Sequence, residues 1–208
     1  MTKSKTSKAP GSGLLAILEK NYGMSQETLE RIGAFVVMWA CFENYLERAL
    51  WRLTGENPEG RIPSTDAIPI SKLIARFREA GGGLEGKEWQ IIVTILCDTA
   101  DCLAQYRNAL AHGQLLPASV GGGSILNSQW YGEQRKRAPV IAHIDENLVG
   151  LMLDALHELL IPMQAVAFGE SPPNADPKII GRQDELRRAR SKAQEVRHLT
   201  EAMSSEKY

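Results

Sequence analysis

The chain has 208 residues, of which 43% are hydrophobic and 24% are charged, and its formal net charge is −1. This composition is ordinary for a globular protein, and the length suffices for one core with appendages. A net charge this close to zero excludes a global basic field for nucleic acid, so any such site has to be a local patch.

The cysteines and the apolar runs bear on cofactors and compartment. Cys41, Cys97 and Cys102 lie inside apolar helical patterns and form no CxxC pair, which predicts reduced core thiols, no metal and no cofactor. The N-terminal lysines precede no signal-type apolar run, and no uninterrupted run of about 18 apolar residues occurs. We therefore expect a cytoplasmic protein without a membrane-spanning segment.

The N-terminal quarter predicts a tail and then a long helix. Residues 1–12 are rich in Lys, Ser, Thr, Pro and Gly, which predicts a disordered tail followed by a short apolar turn at 14–18. A helix is predicted over 25–54, with Ser25 as its N-cap and Gly55 at its end. Its predicted buried stripe recurs at spacings of three and four residues: Ile32, Val36, Trp39, Glu43, Leu46, Leu50 and Leu53.

The middle of the chain predicts two more helices and a β-prone insert. A loop containing three prolines leads to a short helix near 70–80, and the glycines after it break the chain. A second long helix is predicted over 87–112 and capped by Gly113, with one face made of Ile92, Leu96, Thr99, Leu103, Tyr106 and Leu110. Residues 114–143 contain short β-prone runs that predict a small hairpin or a long ordered loop.

The C-terminal part predicts a deeply buried helix and a charged tail. Asp145 caps a helix over 146–168 that is apolar around most of its circumference. Residues 170–177 are predicted as a linker, and 178–208 as a charged helical tail with too few apolar positions to fold alone. The predicted fold is an all-α, up-and-down helical bundle over 13–169, with a small β-hairpin insert and a C-terminal charged helix.

The second long helix ends in the sequence Arg107-Asn108-Ala-Leu-Ala-His112-Gly113. This cluster offers one fixed cation, one hydrogen-bonding amide and one proton carrier, which are the parts needed to cleave a phosphodiester without metal. His112 would take the proton of a ribose 2′-hydroxyl or give one to the leaving oxygen. Arg107 would stabilise charge at phosphorus, and Asn108 would orient the phosphate or the imidazole.

Helical geometry suggests how a second copy would complete this site. An arc of small residues on the helix, Cys97, Ala100, Ala104 and Ala111, separates Arg107 from His112, which lie about 140° apart around the axis. Small side chains allow close approach of another helix, and a two-fold axis presents the same patch to itself. We therefore expect a homodimer in which two Arg/Asn/His sets share one cleft.

Glu43 occupies a core position of the first helix, where an apolar residue is expected. A buried carboxylate needs a cationic or hydrogen-bonding partner, and Arg107 or His112 is the natural candidate. Pairing with Arg107 would hold the guanidinium as a fork for phosphate oxygens. The alternatives are that Glu43 and Arg107 form only a structural pair, and that His112 caps the terminal carbonyls of its helix.

The Arg107-Asn108-x-x-x-His112 pattern at the end of the second long helix resembles the HEPN (higher eukaryotes and prokaryotes nucleotide-binding) superfamily. The acidic residue often found on an earlier helix of that superfamily matches Glu43, and the resemblance covers about residues 25–168. It implies a dimeric helical bundle and a metal-independent endoribonuclease, serving as a toxin or antiviral defence effector. Other members of the superfamily are inactive binding or accessory modules.

Two further patterns concern partners. Trp130-Tyr131 followed by Arg135-Lys136-Arg137 interleaves aromatic and cationic residues, which suits single-stranded RNA, although a solvated hairpin tip is the alternative. Asp98 and Asp101 share a helix face but have no third ligand near in sequence, so a solvated face is predicted there rather than a metal site. No nucleotidyltransferase motif is present, so an antitoxin of that type would be a separate chain.

The sequence therefore predicts an endoribonuclease with Arg107, Asn108 and His112 as catalytic residues and Glu43 in support. The alternative is a catalytically silent helical module that binds a partner protein or a nucleotide.

Overall fold

The computed structural model describes residues 12–116, 123–126 and 141–205. Helices dominate this part of the chain, and the predicted all-α bundle with a small β insert is confirmed. In chain order the elements are α1 (Ser12–Tyr22), α2 (Gln26–Thr54), α3 (Ile70–Gly82), α4 (Lys87–His112), β1 (Gln114–Leu116), β2 (Gly123–Leu126), β3 (Ile141–Ile144), α5 (Glu146–Phe168), a 3-10 turn (Pro173–Ala175), α6 (Pro177–Ile180) and α7 (Gln183–Ser205).

The ends of the long helices follow their capping residues. The Ser25 hydroxyl accepts a hydrogen bond from the Thr28 amide at 3.0 Å, and the Asp145 carboxylate accepts one from the Leu148 amide at 2.8 Å. Gly55 ends α2 in the left-handed region, with φ of 69°, where a side chain would be strained. The predicted boundaries of α2, α4 and α5 therefore agree with the structure to within one residue.

The core lies between α2 and α5, with α3, α4 and α7 packed around them. The buried face of α2 consists of Phe35, Trp39, Phe42, Leu46, Ala49 and Leu50. The predicted buried stripe was wrong at Val36, which is 50% exposed, because Phe35 and Phe42 occupy the buried face instead. On α4, Thr99 and Tyr106 are buried as predicted, and the Thr99 hydroxyl donates to the Ile95 carbonyl.

The predicted short helix over 70–80 extends two residues further. Gly81 lies within α3 and is buried, and the Trp89 indole N–H donates to its carbonyl at 2.7 Å. A Cβ at this position would lie 2.9 Å from a Val93 methyl group. The glycine therefore permits the close approach of α3 to α4 rather than breaking the chain.

The β insert is a three-stranded sheet rather than a single hairpin. The strands lie in the order β1-β2-β3 and both pairs are antiparallel, with Leu115 opposite Ile125 and Ile125 opposite Ala142. Ala142 and Ile144 of β3 are buried in the core. The sheet therefore continues directly from the end of α4, where the candidate site lies.

The N-terminal helix differs from prediction. The apolar turn expected at 14–18 is part of an eleven-residue helix, α1, which Ser12 opens; the tail predicted at 1–12 otherwise lies outside the described residues. Leu14 and Ile17 of α1 are exposed, whereas Leu18 and Tyr22 pack against the core.

The C-terminal segment packs on the bundle. Residues 170–177, predicted as a linker, contain the 3-10 turn and a buried Asp176 that caps α6. Helix α7 contacts α4, α5 and β3, and its buried side chains are Leu186, Ala189, Ala193, Val196 and Thr200. The Tyr106 hydroxyl of α4 is hydrogen-bonded to the Thr200 hydroxyl. The charged tail is therefore one layer of the core.

The expectation that all three cysteines are core thiols needs revision, and one helix bears on the expectation about membranes. Cys97 is buried and Cys102 half-buried, but Cys41 is exposed and so is not a core thiol. Helix α5 has a mean hydropathy of 1.4 over 18 residues and is by length and composition able to cross a membrane. Core helices pass the same test, and the buried face of α5, which includes Met152, Leu156 and Leu159, packs against α2 and α7.

Candidate functional site

Trp39 sets the position of Glu43 on α2. The two residues are one helical turn apart, and the Trp39 indole N–H donates to Glu43 Oε1 at 2.6 Å. Trp39 is buried, whereas 31% of the Glu43 side chain is exposed. The prediction of a core carboxylate was therefore wrong in degree, because Glu43 lies at the edge of the core with its carboxylate open to solvent.

Arg107 of α4 lies across from Glu43 and is one of the two partners that the sequence left open for this carboxylate. Arg107 Nη2 is 3.6 Å from Glu43 Oε1, and 32% of the arginine side chain is exposed. Its Nη1 also donates to Asn108 Oδ1 at 3.2 Å. A pair this exposed stabilises the fold by only about 0–1 kcal/mol. Its main effect is to orient a guanidinium that solvent still reaches.

Glu43 and Arg107 line a cleft of about 480 Å³ between α2, α4 and the segment that enters α3. The α2 side of the cleft is polar, with Glu43, Asn44 and Glu47. The opposite wall is apolar and is made by Ile68, Pro69, Ile70 and Leu73. The volume lies within the range of about 300–1,000 Å³ that is typical of ligand sites.

Thr65 and Glu47 line this cleft and were not singled out from the sequence. The buried Thr65 hydroxyl donates to Glu47 Oε1 and accepts a hydrogen bond from the Trp51 indole N–H at 2.8 Å. Thr65 belongs to a loop, where no periodicity places a side chain, so no sequence signal identifies it. The spacing of four between Glu43 and Glu47 puts both on one helix face and was the available signal for Glu47.

Asn108 and His112 lie on the exposed outer surface of the last turn of α4 and are not part of the cleft lining. The helix-end carbonyl of Ala109 accepts from the Gly113 amide at 2.8 Å. His112 is exposed, so it is not buried against the terminal carbonyls of its helix, one of which already accepts from the Gly113 amide. One protomer thus brings Arg107 and Glu43 together, but it does not place His112 in the same cleft.

The small-residue arc of α4 is covered within the protomer. Cys97, Ala100 and Ala104 are buried, and the Cys97 thiol contacts the Ile74 carbonyl of α3 at 3.8 Å. Of the residues expected at a dimer contact, Cys97 and Ala104 are therefore buried inside one protomer, whereas Ala111 is exposed. The homodimer itself stays a prediction. Burial raises the pKa of the Cys97 thiol to about 12, so this thiol remains protonated at neutral pH.

Asp98 and Asp101 are tied to other helices. Arg78 of α3 donates to Asp98 at 2.9 Å and to Asp101 at 3.0 Å, and Arg190 of α7 approaches Asp98 at 3.9 Å. The predicted solvated face is thus a half-exposed ion-pair network that joins three helices. Within the ranges that the structure describes, no group of three or more His, Cys, Asp or Glu residues is arranged to hold a metal ion.

The predicted RNA-binding tract lies outside the described residues. This applies to Trp130, Tyr131, Arg135, Lys136 and Arg137, which fall between β2 and β3. Their role remains a sequence-based prediction.

No protein-family model, curated protein or solved structure matches this chain. The functional argument therefore depends on the site geometry and on the sequence pattern at the end of α4.

Proposed function

We propose that the protein is a metal-independent endoribonuclease of HEPN type that cleaves RNA at a site shared by two copies of the chain. The observation that carries the proposal is the Glu43–Arg107 pair at the edge of an open cleft. The pair gives Arg107 a fixed orientation and leaves its guanidinium open to solvent. His112, five residues further along the same helix, is also exposed.

The chemistry assigned to these groups needs no metal. His112 accepts the proton of a ribose 2′-hydroxyl, and the 2′-oxygen attacks the adjacent phosphorus while the 5′-oxygen leaves and takes up a proton from water. The products are a 2′,3′-cyclic phosphate and a 5′-hydroxyl end. Arg107 donates hydrogen bonds to the phosphate oxygens as charge builds on them, and Glu43 acts as a positioning residue for Arg107.

A second copy of the chain is needed because His112 does not line the cleft that contains Arg107. Since Cys97, Ala100 and Ala104 of the small-residue arc are buried within one protomer, the contact has to use surfaces that one protomer leaves exposed. Ala111 at the end of α4 is one of these, and Val37 and Cys41 on α2 are others. In such a dimer His112 of one copy approaches Arg107 of the other, which completes the set of groups.

The alternative is a silent binding module. It is favoured by one observation, namely that Arg107 already has Glu43 and Asn108 as partners while His112 lies apart. In that case the cleft would hold a partner or a nucleotide without reaction.

RNA cleavage in the presence of EDTA separates the two functions. The wild-type protein should cut single-stranded RNA and leave 2′,3′-cyclic phosphate ends, and His112→Ala should lower the rate by about 10²- to 10⁴-fold while it keeps its thermal midpoint. His157→Ala removes an exposed histidine of α5 and is the matched control, with unchanged cleavage expected. Intact RNA with the wild-type protein, or equal losses in both variants, would favour the silent module.

A further inference from the structure

We propose that a second cleft, beside Phe168, is a binding subsite for an unpaired base and its phosphate on the same RNA strand. The proposal extends the proposed function, because the Arg107 cleft is what brings an RNA strand to this surface. It assigns a location and a chemistry to strand binding that the Arg107 cleft alone does not provide.

The second cleft has a volume of about 730 Å³ and lies where α5 ends and α6 begins. Its lining combines an aromatic ring with hydrogen-bonding and charged groups, namely Gln164, Phe168, Glu170, Ser171, Lys178 and Arg182. Nucleotides present a flat apolar face, polar edges and a negative phosphate. The lining therefore contains one group for each part of a nucleotide.

Phe168 has the properties of a stacking platform. It is 52% exposed, which is unusual for a phenylalanine at the end of a core helix. Tyr45 packs edge-on against it with ring centroids 5.6 Å apart, and the Arg48 guanidinium lies 5.3 Å from the ring centroid. These neighbours hold the ring in place, so a base can stack on the ring face that Arg48 does not cover, at a small cost in side-chain entropy.

The charges at this cleft favour a phosphate. Lys178 and Arg182 line it and Arg48 stands at its rim. Asp176 also lines the cleft, but it is only 7% exposed and its carboxylate accepts from the Lys178 amide at 2.9 Å as the cap of α6. Glu170 is thus the one exposed acid in the described lining, against the two cations Lys178 and Arg182, with Arg48 as a third cation beside the Phe168 ring.

The two clefts are joined along α2. Arg48 Nε donates to Asn44 Oδ1 at 3.0 Å, and Asn44 lines the first cleft together with Arg107. One helical turn separates Asn44 from Arg48, a rise of about 6 Å along the axis. A strand whose phosphate lies at Arg107 can therefore reach Phe168 within a few nucleotides.

The test uses a strand that cannot be cleaved. A fluorescein-labelled RNA of about ten nucleotides, fully 2′-O-methylated, lacks the attacking hydroxyl, so anisotropy measures its binding without cleavage, and the difference between the wild type and a Phe168 variant isolates the subsite. Phe168→Leu removes the aromatic face and keeps an apolar side chain, and it should weaken binding about tenfold. Ile62→Ala changes another exposed apolar residue away from the cleft and should bind as the wild type does. Thermal melts of both variants check that the fold is kept.

The outcomes separate this proposal from the nuclease proposal. Phe168-dependent binding of the methylated strand, without cleavage of ordinary RNA, would support the subsite and overturn the nuclease. Cleavage of ordinary RNA together with wild-type affinity of Phe168→Leu for the methylated strand would overturn the subsite and keep the nuclease. The subsite is also overturned if the wild-type protein does not bind the methylated strand, or if Ile62→Ala weakens binding as much as Phe168→Leu does.

Discussion

Helix α7 should be part of the cooperative folding unit, and Leu186→Ala tests this. Leu186 is fully buried, at 0% exposed, between α7 and the rest of the bundle. Its truncation removes the equivalent of three methylene groups, about 2.4 kcal/mol at about 0.8 kcal/mol each, and leaves a cavity that brings the cost to about 3–5 kcal/mol. The total stability of such a domain is about 5–15 kcal/mol, so the loss is large.

Leu199→Ala is the matched control on the same helix. Leu199 is 37% exposed, so water fills the vacated space and the cost should stay below about 1.5 kcal/mol. Urea unfolding followed by far-UV circular dichroism gives both free energies of unfolding. If Leu186→Ala leaves the urea midpoint where the wild type has it, α7 is an appendage and the reasoning about its packing is wrong.

Two further predictions concern Tyr106 and Glu43. Burial raises the pKa of Tyr106 to about 12, so the stability that the protonated phenol contributes is complete below about pH 10 and is lost as pH rises through about 12. Tyr106→Phe should lower the free energy of unfolding by about 0.5–1.5 kcal/mol at pH 7. It should also remove up to about 3 kcal/mol of the alkaline loss of stability, which urea titration at several pH values measures. An equally steep alkaline loss in the variant would contradict this assignment. Glu43→Gln keeps an acceptor for the Trp39 indole but removes the charge opposite Arg107, so kcat for RNA should fall about tenfold or more with little change in KM or thermal midpoint. An unchanged kcat would leave Glu43 without a positioning role.

Local signals in the sequence were enough to predict the long helices. Ser25, Gly55 and Asp145 act through their own backbone or nearest neighbours, so their effects are visible without a tertiary structure. The buried face of α2 was harder, because Val36 and Phe35 fit a helical stripe almost equally well. Phe35 is the buried residue of the two, and tertiary packing rather than helical periodicity decides between them.

Long-range contacts explain the other differences from prediction. The charged C-terminal helix is a core layer because its few apolar residues are aligned on one face and meet α4 and α5. The Asp98–Arg78 pair joins residues 20 positions apart, which helical periodicity does not predict. For the same reason the covering of Cys97 by α3 could not be anticipated from α4 alone.

Half of the candidate site was predictable. A carboxylate expected at a core position of α2 predicted a partner, either Arg107 or His112, and Arg107 is that partner at 3.6 Å, although Glu43 lies at the edge of the core. The cleft beside them depends on where the loop containing Thr65 lies, and sequence periodicity gives no information on loops.

Mixing two inactive variants tests most directly whether two copies share the site. In a heterodimer of Arg107→Ala with His112→Ala, one of the two shared clefts keeps both wild-type groups. Random exchange of equal amounts should therefore restore roughly a quarter of the wild-type RNA cleavage, from two preparations that are each inactive. Absence of any restored cleavage, with both variants folded and exchanged into mixed dimers, would contradict a site built from Arg107 of one copy and His112 of the other.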